Sequence, residues 1–265
     1  MHRRNRIKVP ICLCQHTYAT KAHLPLRLLL LLKLFSDGHI HKKDARIKFI
    51  KENYFNDVRT YQRHVKKLKE FGWIWENYNR GILHFISFDK IKKKQNLKGN
   101  RVVEVNLDDL THEDMQPLLL SAIVGDKIVK NKKGLELGRA ESTSGVSSIL
   151  IQEGFSLVPH PYFGYGMRKL SELTNRSIGS IQKHMKQSKE RGHLTTKDKW
   201  IYHPYHKKDL IHLRESYPSV SYRLSSYKGR VRERLNDEII PYLHFSSRRT
   251  KYYRLRSQDR AKKRA

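Results

Sequence analysis

Two stretches of this chain carry the same local pattern, and that duplication constrains the fold more than any other feature: one supersecondary unit must be built twice. Residues 59–68 align with residues 179–188, so that Gln62-Arg63-His64-Val65-Lys66 stands against Gln182-Lys183-His184-Met185-Lys186. The copies lie about 120 residues apart. In the first, Tyr61, Val65 and Leu68 at i, i+4 and i+7 make one apolar helical stripe; in the second, Ile181, Met185 and Ser188 take those places. Each copy follows a short helical stretch and a tight turn, and each ends at a glycine, Gly72 or Gly192.

The surroundings of the first copy fill out the unit. Leu26, Leu29, Leu30 and Leu34 recur at helical spacing behind Pro25, a residue suited to a first turn, and Ser36-Asp37-Gly38 closes that helix. His39-Ile40-His41 reads as a short extended link. Residues 42–52 form a second helix with Ala45, Phe49 and Ile50 facing inward. Asp57 is placed as an N-cap and residues 58–71 as a third helix. Residues 73–78 and 82–88 are rich in β-branched and aromatic side chains, and Asn79-Arg80-Gly81 joins them as a hairpin turn. Helix, helix, turn, helix and basic-tipped hairpin make a winged helix-turn-helix. Around the second copy, residues 167–174 and 178–191 are two helices separated by Asn175-Arg176-Ser177, and residues 195–202 supply a second wing.

The fold class expected is therefore mainly α (α+β), with two winged helix-turn-helix units, small β-wings and basic termini. Residues 1–23 read as a basic arm, 24–90 as the first unit, and 91–161 as a linker and irregular insertion containing Lys92-Lys93-Lys94. Within that insertion 102–107 is a strand, 108–129 is helical but broken or kinked at Pro117, and 148–151 is a short strand. Residues 162–205 hold the second unit. Residues 206–265 are a C-terminal extension with a helix at 230–240 and a basic tail.

Residues 57–74 resemble the recognition helix and wing entry of winged helix-turn-helix DNA-binding proteins. Residues 170–184, Leu170-Ser171-Glu172-Leu173-Thr174-Asn175-Arg176 and onward, resemble the second helix, turn and recognition helix of the same class. Two such units in one chain are similar to the tandem layout of plasmid and phage replication initiators and of some phage regulators. The resemblance spans roughly a third of the chain and implies sequence-specific double-stranded DNA binding, with origin recognition in replication initiation as the leading process. A transcriptional regulator using the same contacts is the alternative, and an RNA-binding or structural winged-helix protein is a third reading.

Charge agrees with a polyanionic partner. There are 55 Lys and Arg against 25 Asp and Glu, a formal net charge of +30 and a pI near 10.2, whereas small domains commonly carry a net charge of magnitude roughly 2–8. With 38% hydrophobic residues the chain still builds real cores. Arg59, Thr60, Gln62 and Arg63 near the start of the first recognition helix are the expected base readers, because Arg can pair with a guanine edge and Gln with an adenine edge. Lys66 and Lys67 are expected on phosphates, as is Arg80 at the hairpin tip. In the second unit Ser177, Ser180, Gln182, Lys183 and Lys186 are the candidates. Both basic ends and Lys92 to Lys94 add sequence-independent affinity.

Other chemistries find little footing. Cys12 and Cys14, with His16, His39 and His41, invite a zinc reading, but the Cys-x-Cys gap is unlike structural sites, so no metal or other cofactor is expected. Asp108-Asp109 and Glu113-Asp114 sit where a helix starts and suit its dipole. The phosphate-loop and nucleophile-elbow motifs are missing, and Tyr252-Tyr253 lack an accompanying His-hydrophobic-His motif, so no enzyme is expected. The apolar run 24–35 is interrupted by Arg27 and Lys33 and falls short of the roughly 20 residues a membrane helix needs. A cytoplasmic protein with duplex DNA, a second copy of itself and replication proteins as partners completes the expectation.

Overall fold

A computed structural model describes residues 5–136, 165–198, 200–218, 221–234 and 238–247. The expected strand at 148–151 and all but the first residues of the basic tail lie outside them. The chain is α+β and divides into two units, Met1–Asp126 with Leu243–Ala265, and Lys127–Tyr242.

The first unit opens with β1 (Arg6–Pro10) and α1 (Ile11–Ala19), followed by α2 (His23–Phe35), β2 (His39–His41), α3 (Lys42–Lys51) and α4 (Val58–Glu70). Then come β3 (Ile74–Asn77), β4 (Ile82–Phe85), α5 (Phe88–Lys94), β5 (Arg101–Asn106) and α6 (Gln116–Glu136), of which the residues through Asp126 belong to this unit. The sheet β2-β4-β3 is antiparallel, with Ile40 opposite Leu83 and Leu83 opposite Glu76. His39 to His41 is thus a paired strand rather than a link. The hairpin bends where Gly81 takes φ +60°. Ser87 caps α5 by accepting the Lys90 N–H, so Phe88 and Lys92 to Lys94 are helical where a strand end and a linker were expected.

Residues 1–23 are not a free arm over their described part. β1 pairs antiparallel with β5, Val9 opposite Val103, and Leu13, Cys14 and Tyr18 of α1 are buried. The apolar alternation of Ile7 and Val9 and the stripe on α1 outweigh the arginines around them. The expected linker is likewise core: Val102, Val103 and Val105 of β5 and Leu118 to Val124 of α6 are buried. Pro117 starts α6 instead of breaking it, since a first-turn proline lacks only an N–H that has no helical partner. The acidic residues at this place cap turns: Asp109 accepts the Asn106 N–H at 2.8 Å and Asp114 the Gln116 N–H at 2.9 Å.

The second unit contains α7 (Met167–Thr174), α8 (Ile178–Glu190), β6 (Leu194–Lys197), β7 (Trp200–His206), α9 (Leu210–Ser216), β8 (Leu224–Tyr227), β9 (Arg230–Arg234) and β10 (Glu238–Pro241). The expected second wing at 195–202 is corrected here. β6 pairs with β10, Thr196 opposite Ile239, while β7 joins a separate sheet in the order β7-β9-β8. A strand–helix–hairpin insertion therefore separates the two strands that follow α8. The helix expected at 230–240 is two strands, because the alternation Arg230-Val231-Arg232-Glu233-Arg234 has the period of a strand. The boundary placed at 205 also moves, since β10 completes this unit. Finally β11 (Phe245–Ser247) returns to pair with β5 in the first unit.

Candidate nucleic-acid interface

The two duplicated helices are built alike. Asp57 caps α4, accepting the Thr60 N–H at 2.7 Å and the Thr60 hydroxyl at 2.8 Å; these bonds hold its carboxyl below the usual range. Ser177 caps α8, its Oγ accepting the Ser180 N–H at 3.4 Å and lying 2.9 Å from the Ser180 Oγ. Both helices run thirteen residues and end before a glycine of positive φ, Gly72 at +61° and Gly192 at +69°. A buried residue, Trp73 or His193, then leads into a strand.

Inward faces match position by position: Tyr61, His64, Val65 and Leu68 are buried on α4, and Ile181, His184, Met185 and Ser188 on α8. The outward faces carry the expected ligand-reading side chains. Arg59, Gln62, Arg63, Lys66 and Lys67 are exposed on α4, and Gln182, Lys183 and Lys186 on α8. Thr60, Ser177 and Ser180, also expected on the ligand, stand at the helix starts with their hydroxyls engaged in capping.

The hairpin is fixed to α4 by charge. Glu76 on β3 bonds Lys69 of α4 and, at 2.9 Å, Lys42 of α3. Burial opposes ionisation of this carboxylate, yet the bonds and charges of the two lysines outweigh burial and hold it below the usual range. Arg80 is exposed at the tip beside Tyr78, which is 78% exposed. On the outer face of the sheet His39, His84 and Trp75 stand in one row; Trp75 stacks on His84 at 3.9 Å and 8°.

His64 sits beneath the α4 face with 3% exposure, 6.0 Å from the Phe55 ring, and neither ring nitrogen has a hydrogen-bond partner among the described residues. Burial, then the nearby charges of Arg63, Lys67, Arg27 and His23, push its pKa from 6.5 down to about 4. A base whose folded pKa is depressed binds its proton more readily in the unfolded chain. Stability from this residue is complete above pH 6.5 and is lost as pH falls toward 4. Thermal melts of wild type and His64→Leu should diverge in slope across that interval, the variant losing less stability on acidification. Parallel profiles would remove His64 from the acid response.

Cys12 and Cys14 are free thiols two positions apart on α1, where helical geometry sends them to different sides, and burial raises both. Among the described residues no group of three or more His, Cys, Asp or Glu is placed to hold a metal ion, and no helix is long and apolar enough to cross a membrane.

One surface was missed in the sequence. In the sheet β7-β9-β8 the side of Val231 and Leu224 is covered by Leu213 of α9, and the other side is open. Arg230, Arg232 and Arg234 line that open side, with Tyr202 opposite Arg232, Trp200 opposite Arg234, and Tyr227 opposite Arg230. Tyr202 and Tyr227 are 51% and 44% exposed. The Arg232 guanidinium lies 3.8 Å from the Trp200 ring centre and 4.7 Å from that of Tyr227, and its Nε donates to Ser225 Oγ at 3.1 Å. The strand-period alternation after Lys228-Gly229 was the available signal.

The chain matches no protein-family model, no curated protein and no solved structure.

Proposed function

We propose that this protein reads double-stranded DNA through two winged helix-turn-helix units, the α4 and α8 helices each entering a major groove. The observation that carries the reading is the repetition itself. Two helices share their cap, length, buried stripe and terminal glycine, and both leave Gln and basic side chains on the outer face. A helix of this kind fits the major groove, where Arg63 and Lys183 meet guanine edges and Gln62 and Gln182 adenine edges. The strand order β2-β4-β3, with α3 packed against β2 and α4 against β3, supports the winged reading of the first unit. In the second unit β6 pairs with β10 across the insertion and takes the place of a simple hairpin.

Origin recognition for a plasmid or phage replicon is the process this reading favours, and transcriptional control by the same contacts is its alternative. Selection from a random duplex pool at about 0.15 M salt, with single-stranded DNA and RNA as competitors, tests the binding mode. Enrichment of a motif, above all a bipartite one, is the expected result. No enrichment, with steep salt dependence and equal competition by RNA, would overturn it.

A further inference from the structure

We infer that the open face of the β7-β9-β8 sheet binds an unpaired strand of DNA, with Tyr202 and Tyr227 stacking on bases and Arg230, Arg232 and Arg234 holding phosphates. The face has both components that sequence-tolerant strand binding needs: a basic track, which Lys228 joins 5.5 Å from the Tyr227 ring centre, and aromatic rings that are about half exposed. Its three arginines come from alternate positions of the central strand and so project together, while the acidic Glu233 points to the opposite, buried side, 3.4 Å from His203. The carboxylate at its edge, Asp198, is 3.2 Å from Arg234. Arg232 is fixed by its two flanking rings and by Ser225, so little side-chain freedom is lost when it grips a phosphate. A buried-core role does not account for these residues, since α9 already covers the other side.

The face also leads toward α8. Arg234 lines a groove together with Arg223, Lys189 of α8 and Thr196 of β6. The choice of DNA over RNA rests on the duplex reading above; the capacity of the sheet for an unpaired polynucleotide does not.

The test uses the full chain and a fluorescein-labelled oligothymidylate of about a dozen nucleotides. The pair Tyr202→Ala and Tyr227→Ala should weaken its binding roughly 10- to 100-fold and leave duplex binding unchanged. Tyr202→Leu with Tyr227→Leu keeps side-chain bulk without a ring and should show the same loss, which covers the case in which the alanine pair unfolds. Unaltered oligothymidylate binding in the leucine pair would overturn the proposal. So would displacement of the probe by polyphosphate at equal charge, or tighter binding of oligouridylate. Tyrosine-dependent oligothymidylate binding without duplex binding would uphold the sheet and remove only the α4 and α8 reading.

Discussion

Alanine at Arg63 is expected to lower discrimination between the selected duplex and a scrambled one by about 10- to 100-fold, the worth of one paired contact to a guanine edge. Arg63 is suited to this task because it is exposed in the first half of α4, with Asp57 and Thr60 fixing the helix start and Tyr61 and His64 fixing its rotation against the core. Affinity for scrambled duplex should change only a few-fold, since one phosphate-range charge among many is lost. Lys93→Ala makes the contrast: Lys93 is exposed on α5, away from α4 and α8 in sequence, and its loss should weaken all duplexes alike. Binding curves for both variants on both duplexes decide the matter. If Arg63→Ala and Lys93→Ala weakened every sequence equally, the division into readers and anchors would fall.

The second large effect is structural. Arg27 lies on α2 with 1% exposure, donating from Nε to the Leu110 carbonyl at 2.8 Å and from Nη2 to the Thr111 carbonyl at 3.1 Å, with the Phe55 ring 5.1 Å from its guanidinium carbon. Burial pushes its pKa down to about 10, which still leaves it charged at neutral pH. Arg27→Ala removes two charge-assisted bonds, leaves two carbonyls without their donor and opens space between α2 and the turn before α6. Removing the desolvated charge offsets part of that cost. A net loss of about 3 kcal/mol is expected, or roughly 6–12 °C in melting temperature for a unit of this size. Arg27→Met refills the volume but not the bonds and should fall between wild type and alanine. A loss below about 1 kcal/mol for Arg27→Ala would show that the brace does not hold the turn.

The local elements near the duplicated helices were legible because their signals are local. Asp57 caps within three residues, Gly72 and Gly192 end helices at their own φ, and the stripe of Tyr61, Val65 and Leu68 follows from helical period alone, while Ser177, read as a turn residue, caps α8 in the same way. The outward residues Arg59, Gln62, Arg63, Lys66 and Lys67 on α4, and Gln182, Lys183 and Lys186 on α8, follow from the same period. The misreadings have another cause. Leu28, Leu31 and Leu32 lie off the expected stripe yet are fully buried, because β1 and α1 cover the side of α2 that a lone unit would leave open. The open basic face of β7-β9-β8 exists only because β9 pairs on both edges and α9 takes one side.

Local signals in the chain thus set where α4 and α8 start and stop and which faces those two helices bury, and they show one helical pattern recurring in a chain of strong positive charge. Contacts distant in sequence decided that Val9, Leu13 and Tyr18, Val102, Val103 and Val105, and Leu118 to Val124 supply core side chains, that β6 waits for β10 across an insertion, and that β11 joins the β1-β5 sheet. The reason is the range of the interactions. A cap or a turn is chosen within a few residues of chain, whereas a strand's partner is chosen by whichever distant edge completes its hydrogen bonds and buries its apolar face.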